Sequence, residues 1–244
     1  MKIVNKLDKL EEFDTQTPEF IAQGVTGKFL KLIPDTFIIK GEVGQDGFNQ
    51  GYAIRHQNQK DIILIDVIEK ATKDAVKKRV EDGYNIKAIL ISNTSVFKNA
   101  YADLKTISKD AGGAPIYAHP MTTVKEDFKI KDITAKKNEL FKSFGLTIYN
   151  LPGNGGGSVV IHSEINEGML FTGEDALGST YDSELNEFTR PQMKSKNDEY
   201  GLAQSWSEFE QPFTYLFPLC GKPGFNLEEE DQSAILNKLS RIQE

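Results

Sequence analysis

Between positions 36 and 66 the chain alternates short β-branched runs with turn residues. TFIIKGE (36–42) gives way to the Gly-rich VGQDG, NQGYAIRH (49–56) to the polar QNQK, and DIILID (61–66) closes the series. That rhythm predicts antiparallel hairpins. A helical period takes over near 68–82, where Thr72, Val76 and Val80 share one stripe and Lys70 and Asp74 are spaced to pair. Gly83 supplies a left-handed stop. The nearly continuous apolar run IKAILIS predicts a strand buried on both faces. A helix over 98–110, ending towards Gly112-Gly113, and a short strand in PIYAH follow it.

The second half repeats the pattern. Strands are predicted at 145–151, 158–164, 168–174 and 213–219, and the polar stretch 178–200 predicts a long irregular excursion. A last helix is expected from Asn226, as N-cap, to Arg241, with acids in its first turn and an apolar face of Ile235, Leu236, Leu239 and Ile242. Mixed β then α, twice over, implies two sheets packed together and covered by helices.

Composition narrows the function classes. Of 244 residues, 39% are hydrophobic and 27% charged, with a net charge of −7 and both signs interspersed. No basic footprint for nucleic acid or for an anionic membrane exists. The first residues lack the apolar core of a signal peptide, and no run approaches the ~20 apolar residues that a spanning helix needs. The single cysteine, Cys220, forms no disulfide within the chain, which fits a reducing, cytoplasmic setting.

The order of the pieces resembles the metallo-β-lactamase-like hydrolase family over roughly residues 30–240. IILIDV looks like that family's strand ending in aspartate, and AILISNTSVFKNAYADL like its strand–loop–helix carrying T-H-x-H-x-D-H. GAPIYAHP matches the following strand, LPGNGGGSVVIH resembles P-G-H-T-P-G-S, GMLFTGEDAL resembles L-F-T-G-D, and YLFPLCG is the counterpart of the last strand. The resemblance implies an α+β fold, a four-layer αββα sandwich. It implies one domain over 1–244, with 1–30 as an N-terminal extension and 178–204 as a loop excursion near the cleft.

It also implies a ligand set, and here the chain departs from the family. Asn93 and Ser95 stand at the first two histidine positions, Phe97 at the aspartate, Lys98 at the third histidine, Asn154 at the next, Glu174 at the bridging aspartate and Cys220 at the last histidine. Amide and hydroxyl groups hold zinc or iron weakly, Phe97 donates nothing, and an ammonium beside a dication is repulsive. No metal and no cofactor are therefore expected, and a Lys98–Glu174 ion pair is expected to replace the cation. His56, His119 and His162 read as surface or capping residues, and Cys220 as a small apolar filler. PGNGGGS (152–158) lacks the P-loop spacing, but its amides beside Lys98 suit a small anion. The acids in EDALGSTYDSELNEF match no EF-hand loop, and Trp206, Phe209 and Phe213 read as core.

Two functional expectations follow. One is a degenerate, metal-free binding, regulatory or structural protein, with a small molecule or anion in a polar cleft and a homodimer as a compatible assembly. The other is a hydrolase that uses substitute ligands, or Cys220 or Ser95 as nucleophile, although the sequence shows no base beside either.

Overall fold

The structure is a computed structural model that describes residues 19–44, 47–124, 128–155 and 157–242. Residues 1–18 of the expected extension, part of the VGQDG turn and Gly156 lie outside the described residues. The first sheet contains β1 (Phe29–Ile33), β2 (Thr36–Gly44), β3 (Gly47–Arg55), β4 (Asp61–Ile65), β5 (Asn85–Leu90), β6 (Ile116–Ala118) and β7 (Lys131–Asp132), in spatial order β1 to β7. Strands β2 to β4 pair antiparallel, as the hairpin rhythm predicts, β1 adds a further antiparallel strand that the rhythm does not predict, and β4 to β7 pair parallel. Parallel pairing requires crossovers, supplied by α1 (Lys73–Glu81) and α2 (Thr94–Asp110).

The second sheet has the order β13-β10-β9-β8, built from β8 (Leu146–Asn150), β9 (Val159–Ser163), β10 (Met169–Gly173) and β13 (Tyr215–Pro218). A short helix α3 (Glu139–Ser143) precedes β8, and α4 (Lys196–Ser207) and α5 (Glu229–Ser240) complete the chain.

The apolar runs explain the layering. Side chains alternate faces along a strand, so a strand covered on both sides needs apolar residues at every position. In β4, Ile63 and Ile65 enter the core between the sheets, whereas Ile62 and Leu64 face the helices with Val76, Phe97 and Leu104. In the second sheet, Ile161 and Phe171 face inward, and Val160 and Leu170 meet Leu202, Trp206 and Leu239. The result is the expected four-layer αββα sandwich.

Several local expectations shift. Helix α2 begins at Thr94 rather than 98, because Asn93 is extended and its side chain accepts the Ser95 amide as N-cap. Helix α5 begins at Glu229, because Asn226 is left-handed (φ 51°) and Asp231 accepts the Glu228 amide at 3.0 Å. Ile242 is 48% exposed and falls off the apolar face of α5. The 178–204 excursion is largely irregular, as expected, up to residue 195, but it is pinned by a short hairpin of β11 (Leu177–Gly178) and β12 (Phe188–Thr189) and ends in the first part of α4. Arg190 fixes that hairpin by donating to the carbonyls of Leu239 and Arg241. Among the described residues Lys70 and Asp74 form no ion pair; Lys73 instead reaches Asp103 of α2 at 3.0 Å. No helix among the described residues is long and apolar enough to cross a membrane.

Candidate functional site

The ends of β4 and β5 and the segment before β9 meet at one rim of the sandwich. Beyond β4, Asp66 is buried in a left-handed turn (φ 50°) and accepts the Ser92 amide at 2.9 Å. The turn after β5 is stitched to the second sheet by Val159 N to Ser92 O (2.8 Å) and Thr94 N to Gly157 O (3.1 Å). Gly157 is required by this approach, since a Cβ there would lie 2.3 Å from Thr94 Cγ2.

Asn93 is the hub of the site and is almost fully buried. Its Nδ2 donates to Ser158 Oγ at 3.1 Å and to the Asn154 carbonyl at 3.3 Å. Its Oδ1 accepts the Ser95 amide at 2.7 Å and lies 2.8 Å from Ser95 Oγ. Both Nδ2 hydrogens and one Oδ1 lone pair are thus engaged. Ser95 Oγ also lies 2.6 Å from Glu174 Oε2. On the inner side, Asp175 accepts Asn154 Nδ2 at 2.9 Å and the Ser158 hydroxyl, while its carbonyl accepts Trp206 Nε1 at 3.2 Å. A continuous hydrogen-bonded chain thus joins Asp175, Ser158, Asn93, Ser95 and Glu174.

The site is carboxylate-rich and partly dry. Burial pushes Asp175 up to about 7, against the hydrogen bonds from Ser158 and Asn154, and the charges of Glu174 and Asp66 push it the same way. Asp66 is raised to about 6, again mainly by burial. Burial pushes the Cys220 thiol up to about 12, helped by the negative charges of Glu174, Glu69 and Asp66. Its Sγ donates to Asn49 Oδ1 at 3.0 Å, so the group is a held thiol with no thiolate character.

The seven expected cleft residues therefore separate. Asn93, Ser95, Asn154 and Glu174 come together directly, and Cys220 stands close enough to feel the charge of Glu174. Phe97 does not belong to the cleft: it is fully buried under the first sheet against Tyr101 and Phe128. Lys98 is exposed and, among the described residues, forms no ion pair with Glu174; that carboxylate takes Ser95 instead. Lys98 lines a cavity of about 640 Å³ beside the first turn of α2, together with Thr94, Ser95, Tyr101 and Met121. Sequence reasoning missed Ser158 and Asp175 as site residues, although each adjoins a motif that pointed here. The three histidines do not converge: His56 packs on Phe144, His119 Nδ1 accepts the Met121 amide, and His162 contacts the Pro212 carbonyl from within β9, not at its end.

The donor set does not fit the ion that the family resemblance implies. Asn93 Oδ1 already accepts the Ser95 amide, Phe97 is in the core, Lys98 is a cation, and the Cys220 thiol is hydrogen-bonded to Asn49. Among the described residues no group of three or more His, Cys, Asp or Glu side chains is arranged to hold a metal ion.

No family model matches the chain, and no curated protein matches it by sequence. Solved structures do match. A β-lactamase domain protein from Burkholderia ambifaria superposes with a TM-score of 0.61 at 12% identity, over 90% of this chain and 76% of that one. The metal-soaked flavodiiron core from Synechocystis sp. PCC6803 gives 0.58 at 14%, over 88% and 61%. The metallo-β-lactamase from Hirschia baltica gives 0.52 at 16%, over 87% and 98%. At such low identity these likenesses concern the fold.

Proposed function

We propose, starting from the metallo-β-lactamase fold that this chain shares with those structures, that it acts without a metal as a binding or regulatory protein. The observation that carries this reading is Asn93, whose two donors and one acceptor lone pair are met within the protein. A metal at that position would have to displace the Ser95 contacts and strand a buried amide, which is costly. The ligand we assign to the cleft is a small polar or anionic molecule beside Lys98 and the first turn of α2, and we place the protein in the cytoplasm, as a homodimer in its simplest assembly.

One observation favours a second reading. Ser95 is exposed, and its hydroxyl lies 2.6 Å from Glu174 Oε2, the reach of a nucleophile from its base. A metal-independent ester or amide hydrolase would use this pair, whereas the raised Cys220 thiol removes the cysteine alternative. The deciding experiment is elemental analysis of protein purified without chelator, paired with an ester-hydrolysis assay on the wild type and Ser95→Ala. Substoichiometric zinc, iron and manganese with no Ser95-dependent turnover is the expected result. Near-stoichiometric metal would overturn the metal-free reading, and turnover lost in Ser95→Ala would replace binding by catalysis.

A further inference from the structure

A second cavity, of about 100 Å³, lies on the helix-facing side of the first sheet. The strand register explains its walls. Phe37 of β2 pairs with Ala53 of β3, and Arg55 pairs with Ile62 of β4, so these side chains rise from one face. Phe29 from β1 and Tyr84, just beyond α1, close the sides, and Arg79 from the last turn of α1 reaches over. The floor is apolar, and the only charged groups lining it are two guanidinium groups, of Arg55 and Arg79.

The two arginines differ in how they are satisfied. Arg55 is held by Asp35, through Nε at 2.8 Å and Nη2 at 2.6 Å, and its guanidinium lies 5.6 Å from the Phe37 ring centre. Arg79 sits 5.9 Å from the Tyr84 ring and makes one long contact to Asp82, 3.7 Å through Nη2. Its Nε is buried and has no hydrogen-bond partner among the described residues. A buried charged donor without an acceptor is costly and calls for an explanation. Both side chains keep part of their surface in solvent, 24% for Arg55 and 35% for Arg79.

We infer that this cavity is a binding site for a small monocarboxylate with a short apolar tail, its carboxylate pairing with Arg79 once a turn of that part-exposed side chain brings the shielded Nε–H to the ligand. A planar guanidinium fork matches a carboxylate better than any neutral group does. The volume limits the tail: an apolar cavity of roughly 150 Å³ takes up benzene, so about 100 Å³ suits a branched tail of a few carbons. This site is separate from the Asn93 cleft and does not depend on the reading given to that cleft.

Titration calorimetry of the full chain at neutral pH, with isovalerate as probe and isovaleramide as its neutral counterpart, tests the assignment. Saturable binding of isovalerate alone is expected. Arg79→Gln should weaken it by ~10-fold or more, a direct consequence of losing the charged donor. Ala53→Val, which fills the floor, should weaken it as well, while Glu174→Gln should not. Absence of isovalerate binding, equal binding of the amide, or unchanged affinity in a folded Arg79→Gln variant would each overturn the proposal. The acid–amide comparison on the wild-type chain stands even where a variant fails to fold.

Discussion

The rim around Asn93 and the cavity beneath Arg79 satisfy their polar groups to different degrees. At the rim, five residues from Asp175 to Glu174 form one hydrogen-bonded chain, although the buried Ser92 hydroxyl beside them has no partner among the described residues. At Arg79, one guanidinium N–H is buried with no acceptor among the described residues. A satisfied network stabilises its own geometry and resists a newcomer, whereas an unsatisfied donor makes room for one. Position in the fold and capacity to bind thus need not coincide: the rim at Asn93 is the more fully bonded of the two.

Substitutions can break this contrast. Asn93→Ala should cost the most, roughly 2–4 kcal/mol, since it removes the N-cap of α2 and leaves buried partners unpaired. Urea unfolding measures it, and a loss below ~1 kcal/mol would mean the hub is dispensable. The pH dependence comes next. Asp175 at about 7 and Asp66 at about 6 both lie above the ~3.9 of an unfolded aspartate. The folded chain therefore holds more protons than the unfolded chain between pH ~4 and ~7, and stability must fall as pH rises through that window. Each group contributes up to ~1.4 kcal/mol per pH unit. Asp175→Asn should flatten its share of that slope in thermal melts between pH 5 and 8, and an unaltered slope would show that the carboxylate ionises at no cost. Arg79→Gln should have the smallest effect, within ~0.5 kcal/mol of the wild type, because its removal relieves an unpaired donor instead of breaking a network. A destabilisation comparable to that of Asn93→Ala would erase the distinction between the two regions.

The sandwich was legible because its signal is carried by local repetition. Ile62 to Ile65 are apolar at every position because β4 is covered on both faces, and that needs no knowledge of its neighbours. The start of α2 was less legible, since Asn93 reads equally as a ligand position and as a cap. Phe97 shows the same ambiguity resolved by periodicity: Val96, Phe97, Ala100, Leu104 and Ile107 form a buried helical stripe, and that spacing was present in the sequence. Expecting a helix only from 98 hid it. The Lys98–Glu174 pair failed for a different reason. It assumed that lost charge is replaced by charge, whereas a hydroxyl takes Glu174, and burial holds Asp66 and Asp175 nearer their neutral forms. The cavity under Arg79 had no local signature at all. Its walls come from four strands, one helix and the turn beyond it, and only the register brings them together.

The way Asn93 is held also bears on redesign. An engineer wishing to install a zinc site on this scaffold would begin by restoring histidine there, and that first step would orphan Ser158, the Asn154 carbonyl and the Ser95 amide before any imidazole found a metal. The gain arrives only after Phe97 has been withdrawn from a packed core and Lys98 exchanged. The Asn93 and Phe97 steps each lower stability before any metal is gained, whereas the exposed Lys98 can be exchanged at little cost, so replacing the loop as a block avoids the two unstable intermediates.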